Sequence, residues 1–197
     1  MSTEHGRKRN GTDSPESAEA FSRRRRRERG SDHCSHEQRE RASGVTSLHL
    51  DPAQPADGAG IILLERGLFP PGDVFKQAQI SRLIRVSTCR IFVIRDGDGN
   101  IMAEIVGLLR RFRGAPSGRI YKIAVHRALQ GKGVAEHLLS GMENVFRQSG
   151  MKAVCAEARV SNTASRRFFE KHGYRMTGDL PRYYPDGEDG CKFWKII

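Results

Sequence analysis

The run Gln130-Gly131-Lys132-Gly133-Val134-Ala135 has the residue types and spacing to hold phosphate. It forms a glycine-bearing turn between an apolar strand-like stretch and an amphipathic, helix-like one. The first backbone N–H groups of a helix have no partner inside it, and the helix dipole favours negative charge there. Glycine lets the backbone approach a ligand closely, and Lys132 adds a full positive charge. The chemistry on offer is binding of an anionic cofactor. An ordinary strand-to-helix loop carries the same spacing, and short glycine motifs recur without ligands, so the spacing alone leaves both readings open.

The elements around this turn follow from the pattern of apolar residues. Ile120, Tyr121, Ile123, Ala124 and Val125 predict the strand that enters it. Val134, Leu138, Leu139, Met142, Val145 and Phe146 form the stripe of a core-facing helix, which Gly150 ends. Upstream, Leu48 and Leu50 suggest a first strand, and Asp51 to Gly60 a loop. Ile61 to Leu64 begins a helix that ends near Gly67, and Asp73 is expected to cap a second. Arg90 to Ile94 and Ile101 to Phe112 read as a hairpin around Asp96-Gly97-Asp98-Gly99-Asn100. Downstream come a strand from Met151 to Val160, a short helix capped at Ser161-Asn162, and a strand from Tyr174 to Thr177. A turn-rich loop from Pro181 to Gly190 precedes the last strand, Cys191 to Ile197, in which Trp194 is expected in the core. Hairpins first, then strands alternating with helices, imply an α+β fold with a mixed, mostly antiparallel sheet flanked by helices.

Composition sets the outer bounds. The chain has 197 residues, one domain with something extra. Residues 1–44 are rich in Arg, Glu, Ser and Gly and read as a disordered tail, leaving a domain over 45–197. The tail contains Arg23-Arg24-Arg25-Arg26-Arg27, a tether for ribosome or nucleic acid through phosphate contacts, or simply a solvated tail. The formal net charge of +11 favours anionic partners without choosing among them. No apolar run approaches the ~20 residues of a membrane span, and no apolar leader is present, so a cytoplasmic protein without membrane contact is expected. The four cysteines make no Cys-x-x-Cys pair, and Cys89 and Cys155 are expected as buried thiols. His33-Cys34-Ser35-His36 has no further ligands beside it, so no metal is expected.

Three ordered blocks give a more specific reading. Gln130, Gly133 and Ala135 match Arg/Gln-x-x-Gly-x-Gly/Ala after an apolar strand. Glu157-Ala158-Arg159-Val160-Ser161-Asn162 is followed by Phe168-Phe169-Glu170-Lys171-His172-Gly173-Tyr174. Tyr183-Tyr184-Pro185-Asp186-Gly187-Glu188-Asp189 is the third. From Leu48 to Ile197 the chain resembles the GNAT acetyltransferase superfamily, and the third block resembles a loop of its RimI-like N-terminal acetyltransferases. The resemblance implies acetyl transfer from acetyl-CoA to a primary amine, most simply a protein N-terminal α-amino group. Gln130, Gly131, Lys132, Gly133, Val134 and Ala135 would then hold the CoA pyrophosphate. Ile123, Ala124 and Val125 would run beside the pantetheine arm, and Asn162 would hydrogen-bond it. The Val125 backbone N–H would stabilise the oxyanion of the thioester carbonyl.

The acceptor amine must lose a proton, since α-amino groups titrate near ~8 and lysine near ~10.4. Glu157 occupies the family's base position, acting through a water, although a structural strand carboxylate is the competing reading. The tyrosine that donates to the leaving sulfur in RimI-like enzymes is replaced by Phe169. Tyr183, Tyr184 or Tyr121 could supply a hydroxyl instead. The simpler expectation is that no acid is needed, because thiols ionise near ~8.5. Tyr183 and Tyr184 would also cover the peptide end. Two other functions fit the same sequence: acetylation of a small amine such as a polyamine, amino sugar or amino acid, and a non-catalytic acetyl-CoA sensor.

Overall fold

The computed structural model describes residues 48–111 and 116–197. The tail, its arginine run and the His33 to His36 cluster lie outside the described residues. One seven-stranded sheet runs in the order β1-β2-β3-β4-β5-β7-β6. The strands are β1 (Asp51–Pro52), β2 (Cys89–Arg95), β3 (Ile101–Arg110), β4 (Ser117–Val125), β5 (Ala153–Arg159), β6 (Arg175–Leu180) and β7 (Gly190–Ile196). All neighbours are antiparallel except β4 and β5. The helices are α1 (Gly58–Arg66), α2 (Gln77–Arg85), α3 (Val134–Gln148) and α4 (Thr163–Lys171). This is the α+β architecture expected from the pattern. None of the described helices is long and apolar enough to cross a membrane.

Each sheet face carries its own core, because strand side chains alternate between faces. Leu138, Leu139, Met142 and Phe146 of α3 pack with Ile105, Ile120, Val154, Ala156 and Phe193 on one face. Ile61, Ile62 and Leu64 of α1 and Ile80 of α2 pack with Ile91, Val93, Val106 and Ala124 on the other. The hairpin turn closes as expected, with Asp96 Oδ1 accepting from the N–H groups of Asp98 and Asn100. Cys89, Cys155 and Cys191 are buried free thiols.

Four local expectations are corrected. Leu48 is exposed, and the first strand is the two-residue Asp51–Pro52, paired with Val93 and Phe92. The expected loop from Asp51 to Gly60 instead holds this strand, a tight turn and the start of α1, because Asp57 Oδ2 accepts from Gln54 N–H at 2.6 Å. Asp73 does not cap α2, whose first flanking residue is Lys76; its carboxylate binds Arg159 at 2.7 Å. Trp194 is only half-buried, and Phe193 is the core residue, since Trp194 shares its face with Lys192.

A buried charged group underlies the α1 face. Glu65 of α1 and Glu104 of β3 are both fully buried. Lys122 of β4 donates to Glu65 Oε1 at 2.7 Å, and Phe75 N–H donates to Glu65 Oε2 at 2.7 Å. Neither oxygen of Glu104 has a hydrogen-bond partner among the described residues, and a fully buried carboxylate without one is costly, so Glu104 holds a proton beside Glu65. Burial first, then the neighbouring Glu65 carboxylate, push the Glu104 carboxyl well above its ordinary value, with Lys122 opposing. The folded protein therefore holds a proton that the unfolded chain releases, and this group removes stability as pH rises above the ordinary carboxylate range. Glu104→Gln keeps the shape and stays neutral at every pH. It should stabilise the fold by about 1–3 kcal/mol at pH 8 and by nothing measurable near pH 4, as read by urea unfolding at both pH values. Equal stability of the two proteins at pH 8 would show that Glu104 is not protonated in the fold.

Candidate active site

The site begins where two parallel strands part. β4 and β5 pair only from Ser117–Ile120 to Ala153–Ala156. At Tyr121 the register of β4 on β3 shifts: Ile120 lies opposite Gly107 and Lys122 opposite Val106, leaving Tyr121 as an extra residue. Such a bulge bends its strand and raises the local twist. Beyond it β4 follows β3 to Val125, while β5 follows β7 to Arg159, and a gap opens between them.

The orientation of the backbone in that gap follows from one hydrogen bond. His126 N–H donates to Met102 O at 2.8 Å. The next pair inward, Ala103 with Val125, is then a non-hydrogen-bonded pair of the antiparallel ladder. The N–H of Val125 points away from β3 and into the gap. Ile123, paired with Ile105, points the same way. Ala124 alternates with them: its backbone engages Glu104 and its side chain is buried against α1.

The glycine turn stands at the end of this strand. Gly131 and Gly133 have φ of 73° and 78°, a left-handed conformation that disfavours any side chain. A Cβ at either would meet nothing within 4 Å, so the backbone surface is open. Among the described residues, no acceptor lies within hydrogen-bonding geometry of the N–H groups from Gly131 to Ala135. Val134 is buried, so it offers only its N–H, while Lys132 is exposed. Gln130 does something different. Its N–H donates to Arg127 O at 3.3 Å and its side-chain amide to Val125 O at 3.0 Å. It therefore braces the turn against the strand end. These open donors at a helix N-terminus fit a pyrophosphate.

Glu157 lies on β5 beside the gap, with a side chain only 10% exposed. Its Oε2 accepts from Arg119 Nε at 2.7 Å, and Oε1 has no partner among the described residues. Arg119 also donates to the Tyr183 hydroxyl. That leaves the hydroxyl hydrogen of Tyr183 free. Burial raises the Tyr183 phenol above its ordinary value, so it keeps this hydrogen at neutral pH. Burial likewise pushes Tyr184 up to about 12. The rings of Tyr183 and Tyr184 pack edge to face at 5.2 Å. Tyr121, beside Arg119, stacks on Phe75 of the α1–α2 loop at 5.8 Å.

Two positions behave differently from their neighbours. Phe169 is buried, stacked on Phe193 at 5.6 Å and edge-on to Tyr174 at 5.3 Å. It is a core residue, and the nearby Tyr174 hydroxyl donates to buried Glu143. Asn162 caps α4, its Oδ1 accepting from Ser165 N–H at 2.9 Å, which leaves its amide hydrogens for another partner. No group of metal-ligating side chains occurs among the described residues.

Glu157, Tyr183 and Tyr184 are thus linked through Arg119 and ring packing beside the gap, whose other edge carries Ile123 and Val125, with the glycine turn at the end of that edge. Arg119, Arg159 and Asp73 were given no role in the site from the sequence. Arg159 had a legible signal, since Glu157 and Arg159 are two apart on a strand and share a face. Asp73 had none, because its partner lies 86 residues away.

A sheet split in the middle, with a glycine-bearing helix N-terminus beside the split, defines the acetyltransferase class of fold. The chain belongs to the Acetyltransferase (GNAT) family, whose model matches residues 62–174. It is 35% identical over 99 residues to an uncharacterized N-acetyltransferase of Methanocaldococcus jannaschii, covering 50% of this chain and 61% of that protein. It is 29% identical over 76 residues to N-alpha-acetyltransferase 30 of Schizosaccharomyces pombe, covering 39% of this chain and 51% of that protein. The matches thus span between half and two thirds of the length of these relatives. Among solved structures, the ribosomal-protein-S18-alanine N-acetyltransferase from Escherichia coli superposes with a TM-score of 0.64 at 19% identity, over 76% of this chain and 93% of that one. That last likeness concerns the fold.

Proposed function

We propose that this protein is an acetyl-CoA-dependent N-acetyltransferase of RimI-like type that acts on a protein N-terminal α-amino group. The observation that carries the reading is the gap between β4 and β5, where the Val125 N–H faces the strand that bears Glu157. A bound acetyl-CoA would supply an activated acyl group at that gap. The glycine turn binds its pyrophosphate through the N–H groups of Gly131 to Ala135, and Lys132 adds charge. Ile123 and Val125 line the thioester arm, and the Asn162 amide donates to it. Val125 N–H donates to the oxygen on which negative charge develops. Glu157 Oε1 accepts the proton of the acceptor amine, directly or through a water, while Arg119 fixes the carboxylate. The sulfur departs as a thiolate, which needs no obligatory acid, consistent with Phe169 lying in the core.

An N-terminal acceptor is favoured by the paired tyrosines at the rim, whose rings form a wall for an extended chain end. The similarity to an N-alpha-acetyltransferase supports the same reading. Acetyl-CoA turnover across peptides with free N-termini, the same peptides blocked at the N-terminus, and small amines tests it. Free-terminus peptides should exceed the others by at least tenfold in kcat/KM. A polyamine, amino sugar or free amino acid as the best acceptor would overturn the choice of acceptor, and no transfer to any amine would overturn the activity.

A further inference from the structure

Arg159 ends β5 and faces the same side as Glu157, about 7 Å along the strand. Its guanidinium is almost fully engaged. Nε and Nη2 donate to Asp73 Oδ2 at 3.1 and 2.7 Å. Nη1 donates to Asp186 Oδ1 and Oδ2 at 3.0 and 2.8 Å and to Glu188 Oε2 at 2.7 Å. Its Cζ lies over the Tyr184 ring, 4.0 Å from the ring centre. The side chain is only 14% exposed. Asp73 belongs to the α1–α2 loop, whereas Asp186, Glu188 and Tyr184 belong to the β6–β7 loop. Among the described residues, Arg159 is the only polar link between these two loops.

We propose that Arg159 is a positioning residue for the acceptor. It fastens the α1–α2 loop to the β6–β7 loop across the mouth of the site and so fixes the walls between which the acceptor amine reaches Glu157. This inference rests on the acetyl-transfer reading above. Three features support it. A guanidinium presents donors in a rigid planar fork, so one side chain can bind carboxylates from two directions at once. The β6–β7 loop has a second anchor on the far side, where Tyr183 meets Arg119, so the loop is held at both edges of Glu157. Glu188 also accepts from Ser161 N–H at 2.9 Å, which, with Arg159, holds its carboxyl down to about 2. Glu188 therefore stays ionised throughout the neutral range.

Loops that are not held must be ordered when the acceptor binds, and that cost falls on acceptor affinity. The chemistry at Glu157 and the glycine turn remains as it was. Arg159→Gln should raise the acceptor KM about 10- to 100-fold, with kcat at saturating acceptor within about threefold of the wild type. The dissociation constant for acetyl-CoA should stay within about twofold. Arg159→Lys keeps the charge but has no fork, and should recover less than half of the loss on a logarithmic scale. Amide hydrogen exchange in 67–76 and 181–189 should quicken together in Arg159→Gln.

An unchanged acceptor KM, or full rescue by lysine, would overturn the proposal. A change in acetyl-CoA affinity as large as that in KM would also overturn it, because Arg159 would then act through the Ser161-Asn162 turn. Should the wild type acetylate no amine at all, the transfer reading fails by itself. Exchange then decides the clasp: joint quickening of the two loops supports it, and unchanged exchange in either loop overturns it.

Discussion

Glu157→Gln is expected to lower kcat with a peptide acceptor about 100- to 1,000-fold while acetyl-CoA binds within about twofold of the wild type. Glutamine preserves the size of the side chain, and its carbonyl can still accept from Arg119, so the link to Tyr183 persists. What disappears is the oxygen that has no partner among the described residues and that the proposed mechanism uses as the base. Glutamine cannot take a proton from an ammonium group near neutral pH. The reaction would then depend on the small fraction of amine already neutral, a fraction that rises tenfold per pH unit below the amine pKa. The variant should therefore recover toward the wild type as pH approaches ~8 with an α-amine acceptor. Activity within threefold of the wild type at pH 7 would remove Glu157 from the proton transfer and leave it the structural carboxylate of the competing reading.

Lys122→Met should be the most damaging single substitution in the frame of the site, costing about 3–5 kcal/mol. Lys122 is 11% exposed and supplies the cation for fully buried Glu65. Its ammonium also lies 3.7 Å from the centre of the Phe75 ring and donates to the carbonyl of Asp73 at 2.7 Å. Methionine fills the same volume, so the loss reports charge rather than packing. It leaves two carboxyls in an apolar layer with no cation between them. Lys122→Met with Glu65→Gln together should be less destabilised than Lys122→Met alone, because the second change removes the orphaned charge. Urea unfolding measures both. A loss below 1 kcal/mol for the single variant would mean that Glu65 finds another partner or takes up a proton.

The glycine turn and the strand and helix on either side of it were legible in the sequence for a physical reason. Positive φ at two nearby positions demands glycine, and the apolar stripe of α3 has one periodicity and one meaning. Glu157 was singled out only through its place in an ordered block, whereas Asn162 was also read as a helix cap, which its bond to Ser165 bears out. What escaped was decided by partners far along the chain. Asp73 carries the local marks of a helix cap, yet an arginine on β5 claims its side chain. Gln130 matches a phosphate motif, yet its amide reaches back to Val125. Glu104 stands in a strand where alternation leaves its face undetermined, and only the position of α1 makes that face an interior. Trp194 was misplaced by one position, and one position in a strand exchanges inside for outside.

The parting of β4 from β5 also has a meaning for the integrity of the sheet. Strand edges normally belong to the rim of a sheet, where water satisfies them or charge protects them. Here the bulge at Tyr121 moves an edge into the middle, so the backbone groups of Ile123 and Val125 line an interior seam. An extended ligand carrying amide groups can act as a short rung between the two halves. Binding then mends the sheet as well as loading the site. At a ligand concentration 100 times its dissociation constant, the linkage contributes about 2.7 kcal/mol to folding. Resistance of the protein to unfolding, and hence its lifetime against proteolysis, should rise and fall with the supply of the ligand that closes the seam.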